Sequence, residues 1–196
     1  MDNLQANYYY HIYNRGINSC NLFEDENNYT YFLKLYEKYI NNIADTYAWV
    51  LMPNHFHLLV RIKHPTGFRN LSGVEEKLTK PPHQYFSNLF NAYTKAFNKY
   101  HNRHGALFER PFRRKLIDSE DYLRQLILYI HNNPVHHGFT NHPIEYGWSS
   151  YQTCVSEKET KLKRNKVISC FNDINNFEYC HNNSIDIEEI NNYLGI

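Results

Sequence analysis

Residues 47–62 read YAWVLMPNHFHLLVRI, and this run decides the fold class. Tyr47–Met52 and Phe56–Ile62 have the apolar and aromatic composition of strands, and Pro53-Asn54 interrupts them as a turn would. The simplest reading is an antiparallel pair with a tight connection. Because side chains alternate across a strand, His55 and His57 leave the second strand on one face and Phe56 on the other.

Working outward, Tyr8–Asn14 (YYYHIYN) is a further strand, broken by Arg15-Gly16. Between it and the pair, Tyr29, Phe32, Leu33, Tyr36, Tyr39 and Ile40 recur at helical spacing, with Asp25 and Glu26 suited to a first turn. Downstream, the segment from His64 to Pro82 lacks periodicity and reads as a loop able to close over a substrate. Phe86, Leu89, Phe90, Tyr93, Ala96, Phe97 and Tyr100 then mark a second helix, ended near His104-Gly105. Leu107–Ile117 is extended and basic. A third helix, capped by Asp118 or Ser119, runs through YLRQLILYIHNN until Pro134 stops it. Strand, helix, strand, strand, helix, strand, helix predicts an α+β fold, a ferredoxin-like antiparallel sheet with helices packed on one face. Residues 1–154 form the expected domain, and the polar segment 155–196 a C-terminal appendage of unassigned role.

The 196 residues carry 21 Lys+Arg against 20 Asp+Glu, so net charge neither announces nor excludes a nucleic-acid partner. Local clusters must decide. Cys20, Cys154, Cys170 and Cys180 form neither a CxxC pair nor a dense framework, which argues against a disulfide scaffold or a cysteine-built zinc site. No segment approaches the roughly 18 apolar residues of a membrane span, so a soluble, cytoplasmic protein without a membrane partner is expected.

Three features could carry chemistry, and each has a plainer reading. His55 and His57 are spaced to ligate a metal, but 12 histidines make roughly 0.7 His-x-His pairs expected by chance, and solvated or core histidines are the alternative. Tyr129 and Asn133, four apart, share one face near the end of the third helix, although Tyr129 also fits an apolar stripe with Tyr122 and Leu126. Phe108–Lys115 interleaves Arg110, Arg113, Arg114 and Lys115 with Phe108 and Phe112. Such a mix binds phosphates and stacks bases, or simply guards an exposed sheet edge.

Taken together, YHIYNRG at 10–16, LMPNHFHLLV at 51–60, GALFERPFR at 105–113, YIHNNP at 129–134 and WSSY at 148–151 resemble the single-tyrosine HUH transposases, in particular the REP-associated tyrosine transposases. The resemblance runs from about Tyr8 to Tyr151. It implies a DNA transposase or nuclease that cleaves and rejoins single-stranded, hairpin-bearing DNA through a 5′-phosphotyrosine intermediate. It further implies Tyr129 as nucleophile, with His55, His57 and Asn133 as ligands of Mg²⁺ or Mn²⁺. Relatives outside this branch carry Gln in place of Asn133. DNA contacts are implied for Arg15, Arg110 and Arg113, and the basic run adds Arg114 and Lys115. Imidazoles favour later transition metals, so Ni²⁺ or Zn²⁺ could be acquired adventitiously. Some relatives act as homodimers and others alone, which leaves the assembly open. The alternatives are a domesticated protein that binds structured DNA without cutting it, and a replication or mobilisation nickase.

Overall fold

A computed structural model of the chain describes residues 3–64 and 80–183; most of the expected loop from His64 to Pro82 and the end of the C-terminal segment lie outside the described residues. Four strands, β1 (Tyr9–Arg15), β2 (Ala44–Met52), β3 (His55–Ile62) and β4 (Arg113–Ile117), form an antiparallel sheet in the order β2-β3-β1-β4. Helix α1 (Glu26–Ile40) joins β1 to β2, and α2 (Pro82–Tyr100) lies between β3 and β4. This is the βαββαβ order of a ferredoxin-like sheet, as the sequence predicts.

Local chemistry explains the element ends. The Asp25 side chain accepts from the Asn28 amide at 3.0 Å and caps α1, while Pro82 opens α2 at a position where its missing N–H costs nothing. Phe32, Leu35, Tyr36 and Ile40 of α1 and Phe86, Leu89, Phe90, Tyr93 and Phe97 of α2 are buried in one cluster. Tyr10, Ile12, Phe56, Leu58, Val60 and Ile62 of the sheet complete it. Both crossover helices therefore cover one face.

Helix α3 (Glu120–His136) covers the other face, and packs on β2 and β3. Its Tyr122, Leu126, Ile127 and Ile130 join Tyr47, Val50, Met52 and Leu59. A helix that follows the last strand is free to take the uncovered side, and these strand residues are apolar enough to need covering. Ser119 provides the cap, its hydroxyl 3.2 Å from the Tyr122 amide.

Pro134 does not end α3. The helix runs another turn, and Gly138 in the left-handed region (φ 70°) supplies the stop, with the Phe139 amide bonded back to the Pro134 carbonyl at 2.8 Å. A proline this close to the end forfeits one amide bond, and the burial of Ile130, Asn133 and Pro134 keeps the helical turn intact.

Three shorter helices follow: α4 (Tyr151–Val155), α5 (Arg164–Ser169) and α6 (Ile174–Asn182). Val167, Phe171 and Phe177 are buried in the α3-side cluster. His131 of α3 lies 2.9 Å from His181 of α6 and 2.8 Å from the Ser150 hydroxyl, so the described part of the C-terminal segment is tied into the core. No helix among the described residues is long and apolar enough to cross a membrane.

Candidate functional site

The α3 side of the sheet holds the residues expected to carry chemistry. Alternation along β3 sends His55 and His57 towards α3, with their ring centroids 5.2 Å apart, while Phe56 enters the opposite core. The Pro53-Asn54 turn holds the start of β3 in place: the Asn54 carbonyl accepts from the Gly16 amide at 2.8 Å. A Cβ at Gly16 would sit 1.9 Å from the Cys20 carbonyl oxygen, so this corner tolerates only glycine.

From α3, Tyr129 presents its ring edge-on to His57 at 5.3 Å, and Asn133 Oδ1 lies 2.9 Å from His55 Nε2. Tyr129, His57 and Asn133 are buried, with the tyrosine and His57 at the wall of a cleft of ≈ 670 Å³. The four residues expected to act together are thus brought together. Arg15 and Arg113 line the same cleft. Arg110 and Arg114 do not; they line a neighbouring groove of ≈ 580 Å³ between α2 and residues 107–112, which shares Asn14 and Glu109 with the cleft. Lys115 pairs with His11 in the register of β4 against β1 and is half-buried.

Burial sets the protonation states. Desolvation pushes the Tyr129 phenol up to about 12, opposed by a hydrogen bond from Asn133. That direction is the one expected of an amide N–H donating to the phenol oxygen, so Asn133 serves Tyr129 with one end and His55 with the other. Desolvation lowers His55 to about 4, and lowers His57 well below the usual imidazole value with help from His11 and His55 nearby. Both imidazoles are therefore neutral at pH 7, the form a metal ligand needs.

The donors fit a divalent ion. His55 Nδ1 is 2.7 Å from Asn54 Oδ1 and Nε2 is 2.9 Å from Asn133 Oδ1, so the ring's one proton can serve either amide oxygen; carried on Nδ1, it leaves a lone pair on Nε2 for an ion. In that tautomer Nε2 and Asn133 Oδ1, 2.9 Å apart, would be two neighbouring donors to a divalent ion. Among the described residues no three His, Cys, Asp or Glu side chains are grouped to hold a metal; the Asn133 amide beside His55 is a neighbouring donor of another type.

Sequence reasoning did not find four further residues of the site. His57 Nδ1 lies 2.8 Å from Nε2 of the fully buried His11. Tyr13 lines the cleft two residues further along β1, its ring stacked on His11 at 4.5 Å. His137, brought in by the extra turn of α3, lies 5.1 Å from His55. Glu109 pairs with Arg15 at 2.6 Å on the cleft rim. The i, i+2 spacing of His11 and Tyr13 around Ile12 was available as a signal, but only the strand register places them beside His57.

No protein-family model and no curated protein sequence matches the chain. Among solved structures, a REP-associated tyrosine transposase bound to a REP hairpin superposes with a TM-score of 0.59 at 16% identity, covering 80% of this chain and 84% of that one. The two chains share a fold. A bacterial tRNA(His) guanylyltransferase-like protein, solved with ATP and with GTP, has a TM-score of 0.40 at 12% identity over 69% of this chain in each complex.

Proposed function

We propose that the protein is a tyrosine transposase of the REP-associated type, cleaving and rejoining single-stranded, hairpin-containing DNA with Tyr129 as the nucleophile. The supporting observation is the convergence of Tyr129, His57 and His55 on a cleft lined also by Arg15 and Arg113, with the buried Asn133 beside His55. The resemblance of the sequence blocks and the shared fold point the same way, and the hairpin comes from that resemblance.

His55, His57 and Asn133 would hold Mg²⁺ or Mn²⁺, and the bound ion supplies Lewis acidity towards a non-bridging oxygen of the scissile phosphate. The protein's own residues do the rest. Tyr129 attacks phosphorus through its phenol oxygen; a tyrosyl–phosphate bond forms and the bond to the 3′ oxygen breaks. The phenol's proton ends, in balance, on the departing 3′ hydroxyl. Because the ester bond is exchanged and not hydrolysed, a 3′ hydroxyl of the same or another strand can reverse the step, so joining needs no nucleotide cofactor. With the phenol at about 12, only about one tyrosine in 10⁵ is ionised at pH 7. Attack therefore depends on help in removing the proton, and the Asn133 N–H stabilises the oxygen as charge develops. Arg15 and Arg113 supply phosphate contacts at the cleft, while Arg110, Arg114 and the aromatic lining of the adjoining groove extend the path for single-stranded DNA. Mutual use of the site by two copies is not required by this arrangement, since Tyr129 reaches the histidines of its own chain.

The test is denaturing electrophoresis of the protein with end-labelled hairpin oligonucleotides drawn from the flanks of its own gene. A covalent adduct that needs Mn²⁺, disappears with chelator and is missing from Tyr129→Phe is the expected result. Tight DNA binding by the wild type with no adduct on any such substrate would replace this reading with that of a binding protein that does not cut.

A further inference from the structure

His11 is an unusual residue to bury. It sits mid-strand in β1 between Tyr10 and Ile12, is fully enclosed, and its Nδ1 has no hydrogen-bond partner among the described residues. A strand position packed against Tyr13 and His57 at ring distances of 4.5 and 5.0 Å could be filled by an apolar side chain at lower cost. The polar contact it does make is to His57, Nε2 to Nδ1 at 2.8 Å. That contact leaves Nε2 as the nitrogen of His57 open to a ligand.

We infer that His11 is a positioning residue for the metal site, holding the His57 ring and accepting its Nδ1 proton so that Nε2 presents a lone pair to the ion. The inference rests on the proposed metal-dependent reading of the cleft.

The proton count requires this direction. A neutral imidazole carries one N–H. If Nε2 of His57 ligates, its proton must be on Nδ1, and the atom facing Nδ1 must accept. His11 Nε2 can do so, with its own proton on Nδ1. The unpartnered Nδ1 is then the cost of keeping an imidazole there, and it has no explanation in packing alone. His55 is held in the parallel way by Asn54 Oδ1 at 2.7 Å, so each metal-facing Nε2 is backed by a partner on the far side of its ring. Such partners behind a ligating histidine fix its tautomer and orientation, and their loss typically weakens metal binding by about 10- to 100-fold.

The experiment measures Mn²⁺ affinity of the full chain without DNA, from the electron spin resonance signal of free Mn²⁺, beside thermal unfolding. His11→Leu fills the space and removes the acceptor; His11→Gln restores an oxygen at the position of Nε2. Affinity lowered about 10- to 100-fold in His11→Leu and restored to within about threefold of wild type in His11→Gln is expected, with both variants unfolding near the wild-type temperature. Wild-type affinity in His11→Leu, or equal loss in both variants when both are folded, overturns the inference and leaves the metal reading standing. Mn²⁺ binding that is absent in the wild type, or unchanged in His57→Ala, fails the metal reading and the inference with it. Should His11→Leu not fold, nitrogen-15 NMR of the Zn²⁺-loaded wild type decides: a His57 protonated on Nδ1 and ligated through Nε2 is expected, and ligation through Nδ1 overturns the inference.

Discussion

On the side of the sheet that faces α1 and α2, β3 contributes Phe56, Leu58, Val60 and Ile62, all buried in one apolar cluster; on the α3 side the intervening positions are His55, His57, Leu59 and Arg61. The same contrast holds along β1, where Tyr10 and Ile12 face one core while His11 and Tyr13 face the other. Neighbouring residues thus answer to different demands. The α1–α2 face is apolar and buried, whereas the α3 face, beside an apolar cluster of its own, also carries four neighbouring rings with polar atoms (His11, Tyr13, His55 and His57) together with a buried amide from α3. The two-residue period of the strand separates an apolar core from the candidate site at single-residue resolution.

Neighbours on β3 give the sharpest way to break that separation. His57→Ala should lower adduct formation roughly 10³-fold or more, several kcal/mol on the barrier, while the protein remains folded. Loss of folding in place of loss of activity, read by circular dichroism beside the gel assay, would mean that the α3 face is structural after all. Phe56→Ala should do the reverse, destabilising by about 3–5 kcal/mol in denaturant titration while the fraction that stays folded keeps its Mn²⁺ affinity.

Acid should act through the polar face. Burial lowers His11 to about 3 and His55 and His181 to about 4, and lowers His57 and His131 as well. In the unfolded chain these rings take up protons near pH 6.5, whereas the folded chain refuses them until much lower pH. The stability they contribute is complete above pH 6.5 and is lost as pH falls towards 4, by up to about 1.4 kcal/mol per pH unit for each ring. Unfolding temperature measured on the metal-free protein should fall steeply across that window; a flat profile would show that these rings are not buried as neutral groups. The smallest effect is expected at the rim. Arg113→Ala should weaken single-stranded DNA binding several-fold, reduce its salt slope by about one, and leave stability within about 0.5 kcal/mol. An unchanged salt slope would remove Arg113 from the DNA path.

Much of this division is legible in the sequence. Pro53-Asn54 between two apolar runs gives the β2–β3 hairpin, and i, i+2 spacing puts His55 and His57 on one face. Likewise, i, i+4 spacing puts Tyr129 beside Asn133. What spacing does not carry is information about partners across the sheet. His11 meets His57 because β1 pairs with β3 in the register that sets His11 opposite Leu59 and Tyr13 opposite His57, and register depends on the whole sheet. His137 is hidden for another reason. Pro134 reads as a stop, yet the buried last turn of α3 and the left-handed Gly138 carry the helix past it. The basic stretch is shorter as a strand than its composition suggests, because residues 107–109 dock on the end of β1 through Ile17 and Arg15 and leave only Arg113–Ile117 in the ladder. That docking is what divides the arginines between two grooves.

Tyr13 stands in the same cleft as Tyr129, so the nucleophile itself is the point on which the account most directly stands or falls. Digestion of the protein–DNA adduct followed by mass spectrometry of the nucleotide-bearing peptide locates the linkage. The account predicts the phosphate on Tyr129, within the α3 peptide that also contains Asn133; a phosphate on Tyr13, or on any residue of the α1–α2 side, would contradict it.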